Sequence, residues 1–529
     1  MKTPKRIDLS QKQMNALLSR AKRLLPKQDY EIVKAMADTI TLLSRTMGAK
    51  NAHIRKLLKM LFGTVTEKTS KVLKEKRERK KADKKQKGHG KNGADSYKGA
   101  QKIVASHQSL KPKDRCPACK KGKLYDTKKP STVVRITGQP PLAAKVYEIE
   151  RLRCGLCGKV FKAKVPEGAG DEKYDSASGA MVALLKYGSG LPFNRLEGLQ
   201  ESLGVPLPAS TQWDIVEEVA NKIVPVYRKL IEAASQGDVI HNDDTVMKIL
   251  EKMKTADGDK KGRKGIFTSG FASIAGNTKI ALFFTGNSHA GENMADLLEK
   301  RKSELPAPIQ MCDGLSRNVP KDFKTILSNC IAHGRRRFID INEAFPEECK
   351  YVLKTLKKVY KNDAYTKQKQ MDPNQRLKYH KDKSSELMKN LKDWLTSQLE
   401  DKKVEPNSSL GEAISYMLKH YKGMTLFLRE PKAPLDNNLC EQILKKAILH
   451  RKNSLFYKTQ HGAYVGDLFM SLIYTCSFCG ANPFEYLKAL QENTSSVLNR
   501  SSQTCLSKTP INTGVSVIVN ENETLSSKV

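Results

Sequence analysis

The sequence predicts a multidomain α+β protein, and three observations carry that expectation. The N-terminal part is helical and basic, and is followed by two spaced CxxC pairs. From Gly237 the pattern changes to three segments rich in β-branched and aromatic residues, GDVIHNDDTVMKIL, GIFTSGFASIAG and TKIALFFTGN, with a short apolar strand PIQMCD beyond them. The chain then returns to charged, helix-periodic sequence as far as about residue 494.

Charge sets the class of partner. Lys and Arg outnumber Asp and Glu by 94 to 56, a formal net charge of +38. Such an excess predicts binding to a polyanion, either nucleic acid or an anionic membrane surface. No run of 18 apolar residues occurs, and no apolar core follows the opening MKTPKRIDLSQKQ, which argues against a membrane span and against export. The eleven cysteines, four of them in two spaced pairs, fit a reducing compartment and a metal site better than disulfides. The expectation from composition is a cytoplasmic protein whose partner is nucleic acid.

Residues 1–70 read as a helical, coiled-coil oligomerisation region. Val33, Met36, Ile40, Leu43, Met47, Lys50, Ile54, Leu57 and Leu61 follow steps of three and four, with a single polar member. So narrow a seam predicts a homo-oligomer, with an intramolecular helical hairpin as the alternative. Residues 71–105 read as a basic linker: positions 71–91 hold eleven Lys/Arg against three acids, a composition that stays solvated yet binds phosphates by counterion release.

Residues 106–170 read as a zinc ribbon. Cys116 and Cys119 form one pair, Cys154 and Cys157 the other, and four thiolates complete a closed tetrahedral shell for a structural Zn²⁺. The intervening TVVRITGQPPLAAKVYEIERLR reads as strands joined by a turn. Residues 171–235 read as a helical DNA-binding region: a helix, a break from Gly204 to Pro208, and a second helix capped by Ser210 or Thr211, as in a helix-turn-helix. A helical linker interrupted by Gly and Pro would give the same pattern.

Three antiparallel strands, a helix over roughly Glu292 to Ser303 and a fourth strand match the start of a ribonuclease H-like fold, assigned here to 236–343. Asp243 lies on the first strand and Asp313 closes the fourth, so neighbouring strand ends bring the two carboxylates together. Such a pair repels unless a cation or proton lies between them, and its oxygens suit Mg²⁺ or Mn²⁺. Asp244 is expected to point to the opposite face. His333, Arg335, Arg336 and Arg337 follow at a helix start. A surface-charged helix explains such a run, but its place just after Asp313 favours phosphate contact. Residues 344–430 read as a helical insertion.

Residues 431–494 return to the catalytic core. In PLDNNLCEQILKKAILHRKNSLF, a turn leads into a helix with an apolar stripe of Leu439, Ile443, Leu444, Ala447 and Ile448. Glu441, Lys445 and Lys452 share the polar face, with Arg451 beside them. With Asn438 as N-cap, Glu441 would sit at the third helical position, where a glutamate commonly caps; with Asp243 and Asp313 it would instead be a third metal ligand. Cys476 and Cys479 form another CxxC, but with apolar helical flanks and no partner pair they read as core residues. Residues 495–529, rich in Ser, Thr and Asn, read as a disordered tail.

Together GHGKNGADSYKGA, CPAC and CGLC, HNDDTV, MCDG, AHGRRRF, DNNLCEQ, HRKNSLF and SLIYTCSFCGANPFEYL resemble the insertion-sequence-66 family of DDE transposases, in its large subunit. The resemblance implies a catalytic Asp243–Asp313–Glu441 set holding two Mg²⁺ or Mn²⁺ ions, double-stranded DNA (element ends and target) as the partner of a nucleoid-associated protein, and accessory transposition proteins as further partners. The chain departs from the family pattern at Asp244, Gln442 and Ser454. The expected activity is Mg²⁺-dependent cleavage at element ends followed by strand transfer. The rivals are a catalytically inactive zinc-ribbon regulator of DNA, a ribonuclease H-like nuclease without strand transfer, and a zinc-ribbon RNA-binding protein.

Overall fold

A computed structural model describes residues 11–38, 69–72, 102–104, 109–125, 132–136, 138–157, 159–254 and 265–493. The heptad positions from Ile40 to Leu61, the basic run past Val72 and the tail 495–529 lie outside the described residues; Val33 and Met36 fall in a helical run over 27–38. The chain divides into two compact units, residues 76–143 and the remainder.

In the smaller unit, Cys116 and Cys119 sit at the end of a tight turn. Arg115 and Lys123 bridge antiparallel, Cys116 N–H donates to Gly122 O at 2.8 Å and Lys120 N–H to Cys116 O at 2.8 Å. Lys120 takes a left-handed φ of 55° to close it.

The larger unit carries a second small hairpin, β1 (Arg151–Arg153) with β2 (Val160–Lys162), and Cys154 and Cys157 lie between its strands. The strands expected within TVVRITGQPPLAAKVYEIERLR reduce to Arg151–Arg153 among the described residues, because the β-branched run around Val133 pairs with nothing described. Helices α1 (Ser176–Ala183), α2 (Phe193–Ser202) and α3 (Ala209–Ser235) follow. The cap of α3 is Pro208, not Ser210 or Thr211, which already lie inside the first turn. Ile215, Val219, Ile223, Tyr227, Leu230 and Ala234 bury one face of α3, and its N-terminal half exposes Asp214 and Glu218.

The sheet forms from β3 (Val239–Val246), β4 (Phe267–Ala275), β5 (Thr278–Gly286), β6 (Ile309–Cys312) and β7 (Ile326–Asn329), in the order β5-β4-β3-β6-β7. Its first three strands run antiparallel, while β6 and β7 add parallel to β3. Helix α4 spans Ala290–Leu298, earlier than expected, because Glu292 reaches back to accept the His289 N–H at 3.0 Å and fixes the start there.

After β7 come α5 (Ile331–Ile341), α6 (Pro346–Gln368), α7 (Pro373–Glu400) and α8 (Ser409–Lys419). These helices share one hydrophobic core with the sheet: Phe338, Leu356, Leu391, Ile414 and Phe427 cluster with Val239 and Ile309. At roughly 1.5–3 kcal/mol per fully buried large side chain, that shared core fixes the insertion on the sheet.

The chain closes with α9 (Asn438–Ser454), α10 (Gln460–Phe478) and α11 (Pro483–Glu492). Helix α10 seals the outer edge of β5. Thr475 Oγ1 accepts the Ala281 N–H at 3.0 Å, Ser471 Oγ that of Phe283 at 3.0 Å, and Asp467 Oδ2 that of Thr285 at 2.6 Å. Four helical residues rise about 6 Å and two strand residues nearly 7 Å, so the two periodicities run in step. Cys476 is a core residue as expected, whereas Cys479 is half-exposed with its thiol 3.6 Å from Lys279 O. Among the described residues, no helix is long and apolar enough to cross a membrane.

Candidate active site

Strands β3 and β6 are parallel neighbours paired through His241 and Met311, and two further residues along each stand Asp243 and Asp313. Buried Asn318 joins the two carboxylates: its Nδ2 lies 2.7 Å from Asp313 Oδ1 and 3.4 Å from Asp243 Oδ1. Asn318 is held in turn from below. Its carbonyl accepts from Asn242 Nδ2 and Gln310 Nε2, each at 2.7 Å, and Gln310 Nε2 also reaches Asn242 Oδ1 at 2.9 Å. Burial, and then the charge of Asp313, push the Asp243 carboxyl up to about 7, with Asp244 and Glu441 adding to the effect. As expected for a neighbour in a strand, Asp244 belongs elsewhere: it bonds to His289 Nδ1 at 2.9 Å and Arg317 Nη2 at 3.1 Å.

Helix α9 brings Glu441 to this edge of the sheet. Its N-cap is Asn437 rather than Asn438, so Glu441 falls one position past the capping site and the capping box does not form. The Asn437 side chain is spent on β3, where Nδ2 donates to Asn242 O at 3.1 Å and Oδ1 meets His241 Nδ1 at 3.0 Å. The buried stripe of α9 is Cys440, Ile443, Leu444, Ala447 and His450; Cys440 and His450 replace the expected Leu439 and Ile448. Gly270, paired with Asp243 across β3 and β4, lets the helix lie close, since a Cβ there would come 2.9 Å from Leu444 Cδ2.

The predicted cations divide into two groups. His333 Nε2 lies 3.9 Å from Glu441 Oε1, and Arg336 Nη2 lies 3.9 Å from Glu441 Oε2. Arg335 instead bonds to Thr69 Oγ1 at 3.1 Å, and the Arg337 guanidinium lies over the Tyr416 ring at 4.0 Å. Lys445 and Lys452 are exposed on α9. Arg451 turns back to the end of β3, bonding to Thr245 Oγ1 at 3.2 Å and to Val246 O.

Sequence reasoning missed the residues that frame Asp313. A Cβ on Gly314 would come 2.7 Å from His420 Nε2 and 2.9 Å from Tyr416 Oη, so the helical insertion closes on the turn that follows the acid. Burial, then the nearby Lys419 and Arg337 charges, lower the His420 pKa. Nothing in a charged helical sequence marks one Tyr or His as facing an acid loop. Asn318 left one faint signal, its place five residues past Asp313.

The donor set suits hard divalent cations. Asp243 and Asp313 are joined by a neutral amide, and Glu441 Oε1 is a buried oxygen that meets no hydrogen-bond donor among the described residues. Carboxylate oxygens of this kind fit Mg²⁺ or Mn²⁺. A different group of potential ligands also comes together among the described residues: atoms of Cys330, His333 and Glu441 lie within 4.8 Å of one another. At the two cysteine pairs, N–H groups of Gly122 and Lys121 hold the Cys119 thiol below its usual range, and those of Cys157 and Leu156 do the same for Cys154.

Residues 173–465, more than half of the chain, match the family described as Transposase IS66 family. The chain is also similar to three proteins of Sinorhizobium fredii. It is 24% identical to uncharacterized protein y4hP over 403 residues, covering 72% of this chain and 70% of that protein. It is 23% identical to uncharacterized protein y4qI over 321 residues (58% and 57% of the two chains), and 29% identical to uncharacterized protein y4jD over 168 residues (31% and 32%).

Proposed function

The chain belongs to the IS66 transposase family, and on that footing we propose that it is a DDE-type DNA transposase built on a ribonuclease H-like sheet, with Asp243, Asp313 and Glu441 as its metal-binding acids. The observation that carries the reading is the placement of Asp243 and Asp313 at the ends of neighbouring parallel strands, bridged by the Asn318 amide, with Glu441 on α9 near enough for its charge to act on the Asp243 carboxyl. The sheet order β5-β4-β3-β6-β7, antiparallel and then parallel, supports the fold assignment.

The acids would hold two Mg²⁺ or Mn²⁺ ions, whose preference for oxygen ligands three carboxylates match. Bound there, the ions supply Lewis-acid activation of the attacking water or 3′-hydroxyl and of the scissile phosphate. The chain's own residues do the remainder. Asn318 sets the spacing of Asp243 and Asp313 through its amide. Arg336 and His333, on the side of Glu441, offer donors to the phosphate, and exposed Lys445 and Lys452 extend the basic track along α9. Arg335, Arg337 and Arg451 are spent on the protein's own groups and would act by holding the frame. We assign zinc to Cys116, Cys119, Cys154 and Cys157 on their sequence pattern, with element-end recognition in that region and the basic N-terminal part.

The test is cleavage of DNA carrying the element's ends. Asp313→Ala is expected to bind that DNA as wild type does and to abolish Mg²⁺-dependent nicking; nicking by the mutant would reject the reading. Precut DNA with a free 3′ end separates a transposase, which joins it to target, from a nuclease, which does not. Binding without nicking by the wild-type chain would mark it as a regulator.

A further inference from the structure

Cys330, His333 and Glu441 form a second metal-binding arrangement, chemically unlike the all-oxygen set beside it. Cys330 is the N-cap of α5, and its sulfur is buried among backbone donors: the N–H of Asn437 lies 3.2 Å away, and those of His333 and Ala332 also point at it. Burial pushes the Cys330 thiol up to about 12 in spite of these donors, so the sulfur stays protonated until a metal ion displaces the proton. One turn along the helix, His333 Nε2 faces Glu441 Oε1 across 3.9 Å, too wide for a hydrogen bond. A tetrahedral ion bonded to both atoms at about 2.0–2.2 Å would hold them roughly 3.3–3.6 Å apart, so a closure of a few tenths of an ångström completes that edge of the site. Among the described residues Glu441 Oε1 is a buried oxygen that meets no hydrogen-bond donor, whereas Oε2 faces Arg336.

We propose that Cys330, His333 and Glu441 bind a thiophilic divalent cation, zinc above all, and that its binding switches off the Mg²⁺-dependent reaction by taking Glu441 away from Asp243 and Asp313. A thiolate, an imidazole and one carboxylate oxygen are a borderline-soft set that favours Zn²⁺ over Mg²⁺ and leaves a fourth position for water. On binding, the Cys330 S–H proton passes to solvent as the metal–sulfur bond forms, with no change of oxidation state. The Glu441 carboxylate, neutralised and fixed toward His333, can no longer complete the oxygen set on the other side. The inhibitory half of this proposal rests on the transposase reading; the binding half does not.

The experiment uses the full chain and two readouts. Co²⁺ is titrated as a spectroscopic substitute for zinc, following sulfur-to-cobalt charge transfer. Wild type is expected to take up one more equivalent than Cys330→Ser, whose hydroxyl still accepts the Asn437 N–H. His333→Ala should lose the same equivalent, which guards against a folding defect in either variant. Equal stoichiometry and equal bands in all three proteins would overturn the site. In the second readout, zinc is added to Mg²⁺-dependent nicking of element-end DNA. Wild type should be inhibited, and Cys330→Ser should nick without zinc yet need about tenfold more zinc for the same inhibition. Equal zinc sensitivity would overturn the switch. If neither protein nicks while the cobalt difference stands, the transposase reading fails and the metal site survives.

Discussion

Asn437 Nδ2 donates to the carbonyl of Asn242 at 3.1 Å, so the residue that starts the glutamate helix is bonded to the residue that precedes Asp243 in the strand. Two acid-bearing elements far apart in sequence are thereby fixed to each other by one buried amide, and the second end of that amide meets His241.

Asn437→Ala should therefore do more than destabilise. It leaves a backbone carbonyl and an imidazole without their partner, at a cost of roughly 2–3 kcal/mol. The expected result is a lower melting temperature together with a drop in nicking of at least about tenfold, since small misplacements of reacting groups weigh heavily. DNA affinity, measured by titration, should change little.

Arg376 anchors the turn entering the same helix from the insertion. It bonds to Asp363 Oδ1 through two nitrogens at 2.8 and 2.9 Å and to Ala433 O at 2.8 Å. Burial alone would raise the Asp363 pKa, but His380, Lys367 and Arg376 hold it well below the usual carboxylate range. Arg376→Met should cost about 1–3 kcal/mol, as read from chemical denaturation, because it removes the bonds to Asp363 and Ala433 O while Lys367 and His380 still pair with the carboxylate.

Asp467 makes stability depend on pH. Burial pushes its carboxyl up to about 7 from 3.8, in spite of its bonds to Thr285. Below the unfolded value both states are protonated and there is no penalty. As the pH rises from about 4 to 7 the unfolded chain releases the proton and the folded one keeps it, so stability falls by up to about 4 kcal/mol and then levels off. Asp467→Asn keeps an acceptor for the Thr285 N–H and removes the charge. It should melt higher than wild type at pH 8, and the difference should vanish in acid.

The cysteine pairs lead to a compositional test. Elemental analysis of protein purified without added metal should show zinc, and Cys116→Ser combined with Cys154→Ser should lower the content by one zinc per chain. Loss of zinc is expected to weaken DNA binding while leaving the melting transition of the sheet-containing core in place.

Much of the core was legible because its signals are local. The strands announce themselves by β-branched residues, and the acids stand at strand ends where the topology gathers them. What stayed hidden depends on contacts across long separations. The choice of Asn437 over Asn438 as cap turns on His241 and Asn242, almost two hundred positions away. Arg335, Arg336 and Arg337 look alike in sequence, yet helical rotation sends the first to Thr69, the second to Glu441 and the third onto Tyr416. The placement of Cys440 and His450 inside, and of Leu449 at 41% exposure outside, likewise reflects what each meets on the sheet.

The row formed by Asp467, Ser471 and Thr475 has a bearing on how copies of the chain can meet. By occupying the outward N–H groups of Thr285, Phe283 and Ala281, it leaves that margin of the sheet with little hydrogen-bonding capacity to offer a foreign strand. Any meeting of two copies of the chain is thereby steered away from backbone zippering at this margin and toward contacts between side chains.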